Sequence, residues 1–184
     1  MKVRTKILGS DGRVREGDEA LLEAWNAASG STLWLDIEGN ISDNMNSKLV
    51  SLGCHPVAIT DISRARQPPK LHEFDRSTFI LFRGIIQLDE QLVLVPQQIG
   101  IFAGAHFLVT VHRGESLSIN RLWSEIQAEQ AQRTPGELAL HVMDYASDRY
   151  LQKILAFEDH LGELEEGLLS KPSDGIMAEL VGYR

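Results

Sequence analysis

Cysteine is nearly absent from this 184-residue chain. Cys54 stands alone, so no disulfide closes within the chain and no thiolate cage for zinc can form. That suits a reducing compartment. Long apolar runs are lacking too. The longest, TFILF at 78–82 and IGIFAGA at 99–105, fall far short of the ~20 residues that a membrane helix requires. No N-terminal basic head joins an apolar core, so no signal peptide is expected. Basic charge is scarce: 18 Lys and Arg face 26 Asp and Glu, a net charge of −8. A nucleic-acid binder shows the opposite excess. HExxH, GxSxG, Walker A and GxGxxG motifs are absent, which leaves no recognisable hydrolase or nucleotide signature. Internal repeats and low-complexity stretches are absent as well.

What is present is an ordinary globular composition, 43% apolar and 24% charged. The length fits one domain, with at most an appendage, large enough to fold without a metal or disulfide staple. Acidity is concentrated late. Residues 137–184 hold 10 acidic and 4 basic side chains, against 16 and 14 in residues 1–136. Such a segment repels polyanions and attracts cations, although a solvated helix face looks the same.

The pattern along the chain is α/β. Residues 3–8 read as a strand. Asp18 can cap a helix running to Ala28, and residues 32–37 (TLWLDI) alternate as a half-buried strand with Leu33, Leu35 and Ile37 inward. Ser42 starts a helix with Met45, Leu49 and Leu52 on its buried side, and Gly53 stops it. Pro56, placed at a first helical turn, opens a short helix to Ser63. Two prolines keep residues 67–70 extended. Strand-like runs follow at 78–87, 92–95, 97–103 and 106–112, parted by Asp89-Glu90 and Gly104-Ala105. A helix is predicted over 116–131. Thr134, Pro135 and Glu137 form a capping box for a long helix to Ser170. Within it Tyr150, Ile154, Phe157, Leu161, Leu164 and Leu168 step as a heptad seam. Lys171-Pro172 breaks that helix and Ser173 caps another, which reaches Arg184 without a C-cap and so suggests a longer protein. The expected architecture is a mixed, largely antiparallel sheet sandwiched between helices, with a C-terminal long-helix hairpin.

Few constellations suggest chemistry. His106 and His112 share a strand face but stand ~20 Å apart. Cys54 and His55 are merely adjacent. The basic group Arg64, Arg66, Lys70 and Arg76 reads as a solvated loop paired with Glu73 and Asp75, or else as a contact between subunits. The carboxylates offer more. Asp61 ends the helix begun at Pro56, and Asp144 and Asp148 lie at i, i+4 on the long helix. Magnesium takes one or two carboxylates and keeps several waters, so few residues suffice for a regulatory site.

These residues resemble a family. The run His55-Pro56-Val57-Ala58-Ile59-Thr60-Asp61-Ile62, then Arg66-Gln67-Pro68-Pro69-Lys70-Leu71-His72-Glu73, is similar to the HPLxxED…RPKxE segment of CorA-type magnesium and cobalt transporters. FLVTVH at 107–112 and the helix carrying Asp144, Tyr145, Asp148 and Tyr150, with Leu164-Glu165-Glu166 and Lys171-Pro172 beyond, agree in order and spacing. The resemblance implies a cytoplasmic α/β domain over residues 1–133 and an acidic helical segment over 134–184 leading into a truncated stalk helix. It implies a homopentamer on the cytoplasmic face of the cell membrane, with the pore in C-terminal helices outside this sequence. It assigns no enzyme activity and no nucleic-acid partner. It places regulatory magnesium between neighbouring domains, with Asp61 as one ligand and Asp148 as another. Cobalt or zinc could take magnesium's place. Thr60 departs from the family's usual glutamate, which removes one acidic ligand.

Other readings compete. A zinc-transporting member of the same superfamily would share much of this pattern. A soluble α/β interaction scaffold would use the heptad helix without sensing ions. A metal-dependent hydrolase would need Asp61, Asp144 and Asp148 together around one ion.

Overall fold

The computed structural model describes residues 1–88, 94–127, 133–170 and 173–182. Seven strands form one sheet: β1 (Lys2–Leu8), β2 (Val14–Gly17), β3 (Thr32–Glu38), β4 (Lys70–Glu73), β5 (Ser77–Leu88), β6 (Leu94–Gly104) and β7 (Phe107–His112). Their order is β2-β1-β3-β7-β6-β5-β4. The β3–β7 pair is parallel and the other pairs are antiparallel, as expected of a mixed, largely antiparallel sheet.

Helices cover both faces. On one side lie α1 (Glu19–Glu23), α2 (Asp43–Leu52) and α3 (Pro56–Ser63); on the other lie α4 (Leu117–Glu125) and the 36-residue α5 (Pro135–Ser170). Two cores result. Ile7, Leu33, Leu35, Phe79, Phe102 and Val109 meet α2 and α3. Leu8, Trp34, Ile99, Ile101 and Leu108 meet α4 and α5. Residues 33–37 are therefore buried on both faces, not half-buried as their alternation predicts. A central strand between two helical layers hides even its polar side.

Local chemistry explains most boundaries. Ser42 Oγ accepts from Met45 N and caps α2. At α5 the Thr134 amide donates to Glu137 Oε2 (2.7 Å) and the Glu137 amide donates to Thr134 Oγ1 (3.3 Å), completing the capping box. Three boundaries differ from the sequence reading. The helix expected to reach Ala28 stops after one turn, because Asn26 turns extended and its side chain starts a 3₁₀ turn over Ala27–Ser29. The run at 97–103 and the described end of the run at 92–95 are one strand, β6, continuous through Pro96. The β5–β6 register slips between Ile85 and Gln87 just there, as a residue that cannot donate to the ladder requires. Finally, α4 ends at Glu125 rather than Ala131. The buried Lys6 ammonium donates to the carbonyls of Trp123 (2.5 Å) and Ile126 (3.4 Å) and closes that helix. The expected turn at Asp89-Glu90 and the break at Lys171-Pro172 lie outside the described residues.

The C-terminal hairpin is formed by α5 and α6 (Asp174–Gly182), with Ser173 Oγ accepting from Ile176 N. His160 on α5 bonds Glu179 on α6 at 3.0 Å. The seam is only partly used. Leu164 is buried and Phe157, Leu161 and Leu168 are half-buried, but Ile154 is exposed.

Candidate functional site

Asp61 sits on a firmly held helix. His55 caps α3, its Nδ1 accepting from Val57 N at 3.2 Å, and its ring stacks on Phe74 at 4.2 Å. Ala58, Ile59 and Ile62 bury the inner face of α3. Gly100 on β6 lets that face come close, since a Cβ there would fall 1.6 Å from Ile62 Cδ1. The far end is held by side chains from β6 and from the residue just after β7. Gln98 Nε2 donates to the carbonyls of Ile62 (3.1 Å) and Arg64 (2.9 Å), and Arg113 donates to that of Ser63 (2.6 Å). A guanidinium at a helix C-terminus also complements the helix dipole. These far-end anchors are not evident from the sequence, because they come from residues distant in the chain.

The Asp61 carboxylate lies partly at the surface, 17% exposed, and accepts from Lys70 Nζ at 3.0 Å. This corrects the expectation that the basic loop pairs with Glu73 and Asp75. Lys70 opens β4, and the edge pairing of β4 with β5 brings its ammonium to α3. Thr60, where the family pattern has glutamate, turns its hydroxyl back to the Pro56 carbonyl at 3.0 Å.

Asp144 and Asp148 are exposed on α5. Asp148 faces the α4 side, where its charge helps hold Arg121 protonated, after the hydrogen bond that Arg121 makes to Glu125. Asp61 and Asp148 thus belong to opposite helical layers, and a single chain does not bring them together. Among the described residues no three His, Cys, Asp or Glu side chains gather as a metal group. The hydrolase reading, which needs Asp61, Asp144 and Asp148 around one ion, loses its geometry. The Asp61 carboxylate, partly solvated and paired with a lysine ammonium, offers the oxygen chemistry that a water-rich magnesium site uses.

The sequence reading missed a buried charged cluster beneath α4. Asp36, 2% exposed, accepts from Arg4 Nε (2.7 Å), from Thr110 Oγ1 (2.5 Å) and from His112 Nε2 (3.2 Å). Arg4 also donates to Asn120 of α4 (2.7 Å), and Trp34 Nε1 donates to Thr110 (3.1 Å). Burial disfavours the Asp36 carboxylate, but His112, Arg4 and Thr110 outweigh it and its pKa falls below the ordinary value. Burial likewise disfavours the His112 cation, yet the Asp36 bond and charge and the Gly114 carbonyl raise its pKa. The polar pair Asp36 and Thr110 within strongly apolar strands was the available signal. Cys54 is buried, which pushes its thiol pKa up, so it is poorly suited to act as a nucleophile.

Comparison with known proteins places this geometry. The chain is 29% identical over 132 residues to the putative metal ion transporter YfjQ of Bacillus subtilis, covering 71% of this chain and 40% of that protein. It is 20% identical over 159 residues to the cobalt/magnesium transport protein CorA of Methanocaldococcus jannaschii, covering 83% of this chain and 48% of that one. The chain therefore spans less than half the length of these curated relatives. The complete structure of the CorA magnesium transporter from M. jannaschii superposes with a TM-score of 0.72 at 22% identity, over 99% of this chain and 56% of the other. The ZntB cytoplasmic domain of Vibrio parahaemolyticus gives 0.64 at 11% identity, over 89% and 66%; at these identities the likeness concerns the fold. Residues 29–184 match the family model of the CorA-like Mg2+ transporter protein, and the chain belongs to that family.

Proposed function

We propose that this chain is the cytoplasmic, divalent-cation-sensing part of a magnesium or cobalt transporter. It would lie at the inner face of the cell membrane and gate a pore built from segments outside this sequence. The observation that carries the proposal is Asp61: a partly solvated carboxylate on a helix anchored at both ends, in a chain of the CorA-like family. Copies of a domain with net charge −8 repel one another when arranged around an axis. A cation held at Asp61 and facing Asp148 of a neighbouring copy would neutralise that repulsion and favour a closed ring of five. When cytoplasmic magnesium falls, the ions leave and the ring relaxes. Opposite layers for Asp61 and Asp148 suit a site shared by two copies, since one copy does not join them. With Thr60 supplying no carboxylate, the site is expected to bind weakly, as a sensor that must empty requires.

In the protein carrying its membrane segment, Asp61→Asn is expected to reduce the protection that magnesium gives this domain against protease. Unchanged protection removes Asp61 from the mechanism. A zinc transporter is the second reading, favoured by the shared fold of the ZntB domain. Titration with each ion separates the two.

A further inference from the structure

We propose that Lys70 is a built-in competitor for the Asp61 carboxylate and sets the cation concentration at which the site fills. The inference rests on the reading of Asp61 as a cation ligand and adds how its threshold is tuned. Lys70 Nζ lies 3.0 Å from Asp61 Oδ2, with the two side chains only 22% and 17% exposed. An ammonium in that position occupies one carboxylate oxygen and neutralises the carboxylate's charge, so an incoming cation competes with it. The lysine stem is flexible, but the backbone that carries it is held in place. Pro68 and Pro69 stiffen the chain just before it. The Gln67 amide donates to Gln98 Oε1 (3.0 Å), and Arg83 Nε donates to the Gln67 carbonyl (3.2 Å). From Lys70 onward the backbone is paired with β5, Lys70 opposite Leu81.

Gln98 joins the two partners. Its Oε1 holds the Lys70 loop, while its Nε2 holds the carbonyls at the end of α3. The backbone segments that carry the ammonium and the carboxylate are thus tied to one side chain of β6, which keeps the two groups within reach of each other. When a divalent cation takes the carboxylate, the ammonium is released to water. The occupied and empty states differ by this exchange, and apparent affinity falls by the strength of the pair.

The test is calorimetric titration of the 184-residue chain with MgCl2 at constant ionic strength, each variant first checked by thermal melting. Lys70→Gln is expected to tighten magnesium binding about fivefold, the ratio that the upper range of a surface ion pair corresponds to. Arg66→Asn removes an exposed positive charge from the same loop and leaves the pair intact; it is expected to shift binding less than about twofold, as a solvent-screened charge does. Binding in Lys70→Gln that is unchanged or weaker overturns the competition while leaving Asp61 a ligand. An equal shift in Arg66→Asn also overturns it, because bulk charge would then be the cause. Asp61→Asn is expected to abolish binding with or without Lys70. Retained binding there defeats the reading of Asp61 itself, and the competition with it. Absence of binding in both the natural chain and Lys70→Gln overturns the inference too.

Discussion

His112 faces two acceptors at once: its Nδ1 lies 2.6 Å from the Gly114 carbonyl and its Nε2 3.2 Å from Asp36 Oδ1. A neutral imidazole has one N–H, so only the imidazolium satisfies both. This geometry agrees with the raised His112 pKa and the lowered Asp36 pKa. The sign for stability follows from linkage. The His112 contribution is full below its ordinary value of 6.5 and is lost as pH rises through the higher folded value. The Asp36 contribution is present above its ordinary 3.8 and is lost as pH falls through the lower folded value. Stability from this pair is therefore greatest between 3.8 and 6.5. His112→Gln is expected to cost about 1.5–3 kcal/mol in that window, as for a lost hydrogen bond to a charged group. It should also flatten the alkaline limb of melting temperature against pH. A limb as steep as in the natural chain would show that another group is titrating.

Among the elements, α3 is the part that positions the candidate ligand. Its caps are local and legible: His55-Pro56 before the first turn and the inward run Ala58, Ile59, Ile62. Its seating is not local. Gly100 admits Ile62, and Gln98 and Arg113 grip the last carbonyls. Gly100→Ala puts a methyl where Ile62 Cδ1 and Cγ1 already sit. It is expected to cost about 1–3 kcal/mol, the range for overpacking a filled core. It should also weaken magnesium binding by displacing Asp61. Chemical denaturation and titration of one sample check both effects, and a stable variant with unaltered binding would show that α3 can reseat. The end of α4 shows the same dependence on a remote partner. Its periodicity continues past Glu125, but Lys6 from β1 claims the Trp123 and Ile126 carbonyls, and Ile126 turns extended.

At the scale of the whole molecule, charge and layering act together. The acidic face of α5 and the Asp61 surface lie on opposite sides of the sheet, so neighbouring copies can meet front to back. Divalent cations are therefore expected to promote association more than monovalent salt does. Sedimentation in MgCl2 and in NaCl of equal ionic strength checks this: larger species should appear in magnesium and be lost in Asp61→Asn. Equal behaviour in both salts would reduce the effect to general screening.

Alternation and caps alone determined the α/β class, the short helix over Pro56–Ser63, the start of α5 and the capping box at Thr134. These rest on hydrogen bonds and packing within a few residues. Motif order alone also carried the resemblance to CorA-type transporters and singled out Asp61 and Asp148. The tertiary structure decided what depends on distant partners. It buried both faces of β3, ran β6 through Pro96, shortened α4, and gathered Arg4, Asp36, Thr110 and His112 into one network. It paired Asp61 with Lys70 rather than leaving Lys70 to Glu73 or Asp75, and it set Asp61 and Asp148 in different layers. For the polar contacts among these the physical reason is a shared one. A buried polar group must find a partner wherever the chain crossing brings one, and that crossing is a property of the assembled sheet, not of any window of sequence.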